Sequence, residues 1–175
     1  MRLLFFGNHT VGVRALAAAA ELTEVVGVVA HPPDPEDGLR YESVADFATA
    51  QGWPVLRAVG RDAGVAAFVA AQRPDVIWIT DYRYLLPAAV VALAPLGAIN
   101  LHPSLLPKYR GRAPVNWAIL HGESELGLTA HRVDDGMDTG DVQSHNRNAG
   151  DLCNLSQRNH CHRKAGRALC HHAQL

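Results

Sequence analysis

The sequence predicts an α/β domain, with a doubly wound, mostly parallel sheet and helices on both of its faces. Two observations carry that expectation. Short apolar runs such as residues 2–6 and 24–30 lack the in-out alternation of a half-solvated strand, as strands buried on both faces do. Between such runs lie alanine-rich or helically spaced stretches, and strands alternating with helices favour a parallel sheet. A third feature places a site. Asn100 and His102 interrupt the apolar run 98–102 near its end, and open α/β sheets form their sites at the carboxyl ends of strands.

In order, residues 2–6 form a central strand ending at Gly7. Thr10 caps a helix to about Leu22, rich in alanine. A second buried strand spans 24–30, and 31–38 is a polar, proline-rich loop. A helix follows over 42–51, where Val44 and Phe47 lie three apart on one face. Residues 53–56 make a short edge strand, because Pro54 sits inside it. Asp62 caps a helix over 62–72, residues 75–79 are a strand, and Pro87 opens a helix to about Leu93. Then come the strand 98–102, a helix over 113–120 and a last apolar strand over 126–133. No internal repeat is visible.

At 175 residues the chain reads as one domain, large enough to bury roughly 70% of its unfolded surface. No run of about eighteen apolar residues occurs, so no membrane span is expected. The start is too short and strand-like for a secretory signal, which points to a cytoplasmic setting. Charge is uneven. Residues 1–142 hold eleven Lys or Arg against sixteen Asp or Glu, whereas 143–175 hold five against one. An acidic body is a poor footprint for a large nucleic acid.

All three cysteines and five of the ten histidines fall in those last residues, so the body ends near 142 and an atypical Cys/His-rich basic tail follows, with no domain of its own. Three accounts of the tail stand open. A zinc site would draw on Cys153, His160, Cys161, His162, Cys170, His171 and His172, but paired Cys-x-x-Cys spacing is absent. The others are a disordered tail and a segment read out of the body's frame, which best fits the lost periodicity.

After the first strand the chain reads Gly7-Asn-His-Thr-Val-Gly12, which lacks the Gly-x-G-x-x-Gly of a dinucleotide fold. Such a turn can still offer backbone amides and a helix N-terminus to an anion. Further on, side chains two apart on a strand share a face, so Asn100 and His102 point the same way while Ile99 and Leu101 pack on the other side. Pro103 ends the strand. The stretch continues Ser104-Leu-Leu-Pro-Lys-Tyr-Arg-Gly111, and a second loop reads Val133-Asp-Asp-Gly-Met-Asp-Thr-Gly-Asp141.

This Asn-x-His pair, the Ser-Leu-Leu-Pro after it and the later Asp resemble the 10-formyltetrahydrofolate-dependent formyltransferases, over roughly residues 1–142. The resemblance implies a Rossmann-like formyltransferase fold whose C-terminal strand and helix are missing or altered here. It implies an enzyme of one-carbon metabolism with 10-formyltetrahydrofolate as formyl donor. Asn100, His102 and Asp138 take the catalytic positions. Tyr82, Arg83, Tyr84, Leu85 and Leu86, with Val133, Asp134 and Asp135 opposite, match the positions that hold the folate's pterin. Asn8, His9 and Thr10 match a turn that holds a substrate phosphate, and the basic loop of Lys108, Tyr109, Arg110 and Arg112 suits a phosphate or carboxylate.

The expected chemistry is acyl transfer through a tetrahedral intermediate. Donors aimed at its oxyanion supply about 2.7–4 kcal/mol each. Asn100 offers an amide N–H, and His102, if protonated, a charge-assisted bond roughly twice as strong. A carboxylate within about 4–6 Å favours an imidazolium, the part expected of Asp138, which also accepts the amine's proton. The segment from Lys108 to Trp117 resembles that of family members that formylate small molecules, which implies a small-molecule amine, such as an amino sugar nucleotide or an amino-acid-type amine, as acceptor. A tRNA acceptor is the alternative, disfavoured because methionyl-tRNA formyltransferases carry a further domain. A folate-binding remnant with little activity is a second alternative. The acceptor and the oligomeric state, a homodimer included, are not fixed by the sequence.

Overall fold

The computed structural model describes residues 1–33, 41–147, 163–164 and 167–168. The chain runs β1 (Arg2–Gly7), α1 (His9–Ala20), β2 (Glu24–Ala30), α2 (Val44–Ala50), β3 (Val55–Arg57), α3 (Ala63–Gln72) and β4 (Val76–Thr80). It continues with α4 (Ala88–Val91), β5 (Ala98–His102), α5 (Pro114–Leu120), β6 (Leu128–Arg132) and β7 (Val142–Asn146). A separate two-stranded ladder pairs β8 (Arg163–Lys164) with β9 (Arg167–Ala168). The main sheet has seven strands in the order β3-β2-β1-β4-β5-β6-β7. β1 to β5 are parallel, and β6 and β7 are added antiparallel. The expected doubly wound, mostly parallel sheet is present.

Both faces of that sheet are buried, and β1 shows why. Leu3 and Phe5 point into one apolar cluster, with Val13 and Leu16 of α1 and Val44 and Ala48 of α2. Leu4 and Phe6 alternate into a second, with Val65 and Val69 of α3 and Val90 of α4. All four β1 side chains are fully buried, and each contributes about 1.5–3 kcal/mol of apolar burial. The continuous apolar run is therefore the signature of a central strand covered by two helical layers. β3, following Pro54, is the sheet's edge as expected.

Helix starts follow local chemistry. Ser43 caps α2, its hydroxyl accepting from the Asp46 main-chain N–H at 3.1 Å. α1 begins earlier than Thr10: Asn8 occupies the cap position, and the Thr10 hydroxyl accepts from the Glu42 N–H at 3.2 Å, tying α1 to the start of α2. The expected cap is thus a link between helices. β7 has no apolar pattern and all five residues are exposed. It exists because β6 offers a free edge whose main-chain groups need partners.

Residues 34–38 of the expected proline-rich loop lie outside the described residues, as do Cys153, His160, Cys161, His162, Cys170, His171 and His172 of the tail. No helix among the described residues is long and apolar enough to cross a membrane.

Candidate active site

β5 carries Asn100 and His102 on one face by its period of two. β6 runs antiparallel beside it, setting His131 opposite Asn100 and Thr129 opposite His102. Opposite residues on paired strands share a face, so four polar side chains meet there. Asp138 arrives from the loop after β6. That loop leaves where the Val133 N–H donates to the Ala98 carbonyl, and the Arg132 N–H to Asp141 O, at 2.9 Å each, closes it back onto β6. Asp138 itself has a left-handed backbone, φ 53°.

The three expected catalytic residues are brought together. Asp138 Oδ1 accepts from the Asn100 amide at 3.3 Å, and Oδ2 lies 3.4 Å from His102 Nδ1. Oδ2 also accepts from the Gly111 N–H at 2.8 Å. A fourth group joins them: His131 Nε2 lies 3.3 Å from Oδ1 and 3.2 Å from the Asn100 amide nitrogen. His131 Nδ1 donates to the Arg132 carbonyl at 2.8 Å, which leaves Nε2 as the edge turned to the carboxylate.

The loop 103–111 is held on this cluster by its own backbone. His102 Nε2 lies 2.7 Å from the Tyr109 carbonyl, which can only accept, so that nitrogen carries a proton. Ser104 donates its hydroxyl to the Lys108 carbonyl at 2.7 Å. Thr129, fully buried, gives its one hydroxyl proton to the Ser104 carbonyl at 2.7 Å. Its lone pairs then accept from the Leu106 N–H at 3.1 Å and from His145 Nδ1 at 2.9 Å. Every polar capacity of that hydroxyl is used.

Burial by itself would raise the Asp138 carboxyl. Hydrogen bonds from His131 and the Gly111 N–H, with the charge of His102, outweigh it and hold the group below its ordinary 3.8. The hydrogen bond to Asp138 raises His131 above its ordinary 6.5, against the opposing effect of burial. A carboxylate thus sits between two imidazoles, with an amide donor alongside. Donors and an acceptor in that order suit a carbonyl that gains negative charge while an incoming group loses a proton.

Five of the other expected site residues line two cavities. One, of about 470 Å³, lies beyond the carboxyl ends of β1 and β2 and is lined by Asn8, His9, His31, Arg57, Arg83 and Tyr84 among others. It therefore joins two residues of the expected phosphate turn to two expected on the pterin. At its edge His9 and Asp81, both left-handed at φ 53°, pair at 2.9 Å. The second cavity, about 290 Å³, is lined by Leu106, Pro107, Arg110, Asp138 and residues 139–142. Arg110 thus shares a cavity with Asp138.

Neither cavity is lined by Tyr82, Leu85, Leu86, Val133, Asp134, Asp135, Thr10 or Lys108. Tyr82 donates its hydroxyl to the Ala58 carbonyl at 2.8 Å, and burial pushes that phenol far above its usual range. Leu86 is part of the apolar core, with Tyr82 and Val133 packed at its margin, whereas Leu85 is exposed. Asp134 accepts from Thr139 at 2.7 Å and from the Gly136 N–H at 3.1 Å, shaping the loop that presents Asp138. Lys108 is paired to Glu123 at 3.0 Å.

His131 is the site residue the sequence reading missed. Its one signal is parity: Thr129 and His131 alternate with Leu128 and Ala130 on a strand otherwise read as apolar. Its partner becomes visible only with the antiparallel register.

A model of the formyl transferase family matches residues 1–147, a few residues beyond where the resemblance was expected to fail. The chain is 43% identical over 146 residues to the methionyl-tRNA formyltransferase of Sorangium cellulosum, covering 81% of this chain and 47% of that one. It is 42% identical over 144 residues to the enzyme of that name from Thermus thermophilus, covering 80% and 47%. The chain thus spans about half the length of the curated relatives it matches. Among solved structures, phosphoribosylglycinamide formyltransferase from Bacillus halodurans shares the fold at a TM-score of 0.70 and 22% identity, over 90% of this chain and 87% of that one. With four-fifths of its residues aligned to named relatives and the Asn-x-His…Asp cluster assembled, the chain belongs to the formyl transferase family.

Proposed function

We propose that this protein transfers a formyl group from 10-formyltetrahydrofolate to an amine, using Asn100, His102 and Asp138. The amine nitrogen attacks the formyl carbon, and the carbonyl oxygen takes up negative charge. Asn100 and His102 donate to that oxygen, and Asp138 accepts the proton the amine loses, directly or through water. The intermediate then collapses, the bond from carbon to the folate nitrogen breaks, and that nitrogen takes a proton. No covalent enzyme intermediate is needed. The convergence of the Asn100 amide, the His102 imidazole and the Asp138 carboxylate within 3.4 Å carries the reading.

The acceptor we favour is the methionyl amine of a charged tRNA. The support is the name of relatives about 40% identical. The chain covers about half of each, so its length does not count against that acceptor. The Lys108–Arg112 loop, whose Arg110 lines a cavity with Asp138, gives a basic approach for the acceptor's phosphates. A small-molecule amine is the second reading, supported by the cavity that Asn8 and His9 share with Arg57 and Arg83.

The test offers the purified protein 10-formyltetrahydrofolate with methionyl-tRNA and, in parallel, with amino sugar nucleotides and hydroxyornithine. Formyl-methionyl-tRNA as the preferred product supports the first acceptor, and a formylated small amine replaces it with the second. Formate released without any acceptor would make the enzyme a hydrolase. Donor binding with no turnover on any acceptor would make it a remnant. His102→Ala should abolish turnover and leave donor binding nearly intact.

A further inference from the structure

Tyr109 links His102 to Glu123. Its main-chain carbonyl accepts from His102 Nε2 at 2.7 Å, and its phenol donates to Glu123 Oε1 at 2.9 Å. Lys108 Nζ reaches the same carboxylate oxygen at 3.0 Å, and His121 lies against the Tyr109 ring, its Nδ1 3.3 Å from the phenol oxygen. Glu123 is fixed in turn, because its N–H donates to the Ala118 carbonyl of α5 at 3.0 Å. The loop has reason to need such a hold. Tyr109, Gly111 and Ala113 all have left-handed backbones, with φ of 54°, 89° and 56°, and non-glycine residues keep that conformation only where surroundings impose it.

The consequence falls on His102. An imidazole working through one nitrogen is oriented by what the other nitrogen bonds. Here the Tyr109 carbonyl occupies Nε2, leaving Nδ1 as the edge that faces Asp138 at 3.4 Å. That carbonyl belongs to the same residue whose phenol is bonded to Glu123.

We propose that Glu123 is a positioning residue for formyl transfer: by holding the Tyr109 phenol it fixes the Tyr109 carbonyl on His102 Nε2 and so keeps the imidazole, with Nδ1 towards Asp138, in the orientation the reaction needs. The proposal rests on the formyl-transfer reading of the site. Glu123 touches neither donor nor acceptor in it, and acts through Tyr109.

The test compares Glu123→Ala, Tyr109→Phe and their combination, with Glu123→Gln as the conservative variant that keeps an acceptor for the phenol. Two quantities are followed: kcat and KM for the formyl donor, and the nitrogen and proton NMR signals of the His102 ring in the free protein. Each single variant should lower kcat roughly tenfold, with KM nearly unchanged, since displacement of a reacting group by a fraction of an ångström acts on the chemical step. The double variant should lose no more than either single one, and Glu123→Gln should recover most of the loss. The His102 Nε2–H signal should shift in Glu123→Ala and Tyr109→Phe. An unshifted His102 signal, or an unchanged kcat in both single variants, overturns the proposal. The NMR measurement needs no turnover, so a wild-type protein inactive on every acceptor would instead sink the formyl-transfer reading.

Discussion

His131 Nε2 lies 3.3 Å from Asp138 Oδ1, while His102 Nδ1 lies 3.4 Å from Oδ2 of the same carboxylate. The half-buried carboxylate is therefore shared by two imidazoles.

That arrangement sets a pH window for stability. His131 binds its proton more tightly folded than unfolded, so its contribution is complete below 6.5 and fades as pH rises through its raised folded value. Asp138 runs the other way: its contribution is complete above 3.8 and fades as pH falls through its lowered folded value. Both are in force between 3.8 and 6.5. The melting temperature of His131→Gln should fall furthest below wild type in that window, and the gap should narrow above it. Melting curves from pH 4 to 9 check this; a gap of constant size would show that His131 acts only by packing.

Asp138→Asn keeps an acceptor for the Gly111 N–H and removes the negative charge between the imidazoles. If the carboxylate takes the amine's proton, kcat should drop by about 10²–10⁴-fold. Donor affinity should stay within a few-fold, since Asp138 acts on the reacting group. Steady-state kinetics beside a donor titration separate the two effects, and an active Asp138→Asn would remove the carboxylate from the chemistry.

The buried parallel strands were legible because burial on both faces leaves an uninterrupted apolar run, as in β1 and β2. Asn100 and His102 were legible as a pair because strand parity alone puts them on one face. Asp138 was found through the family resemblance, since nothing in an Asp-Gly-Met-Asp turn distinguishes a working carboxylate from a turn former. His131 was hidden because its role depends on which strand pairs with β5 and in which direction. β7 was illegible for a different reason: a polar edge strand is held by main-chain bonds, which carry no side-chain signature. The hold on His102 was equally invisible, because a backbone carbonyl does it.

Thr129→Val tests the hydroxyl under the loop. Valine matches threonine in shape but leaves the Ser104 carbonyl and the Leu106 N–H without their partner. A buried polar group left unpaired costs about 1–3 kcal/mol. For a chain of this size each kcal/mol lowers the melting temperature by roughly 2–4 °C. Thr129→Ser keeps the hydroxyl and should retain most of the stability. Differential scanning calorimetry of both variants decides; a larger loss in Thr129→Ser than in Thr129→Val would mean that the methyl group, and not the hydroxyl, matters at this position.

Gly140→Ala tests the loop that carries Asp138. A Cβ at Gly140 would run into the Arg132 carbonyl oxygen and lie 2.8 Å from its carbon. Both obstacles are backbone, on β6, and the neighbouring Arg132 N–H is bonded to Asp141 O. No side-chain rotation relieves such a contact, so the loop must move, and Asp138 two residues away moves with it. An ångström of misplacement is enough to cost about 10²-fold in rate. Gly64 is the matched control. It lies in α3 with no heavy atom within 4 Å of an added Cβ, and alanine there should raise stability by roughly 0.5–1 kcal/mol through helix propensity. Gly140→Ala should therefore lose activity and melting temperature, while Gly64→Ala gains melting temperature at unchanged kcat. A fully active Gly140→Ala would show that Asp138 need not stand where this loop places it.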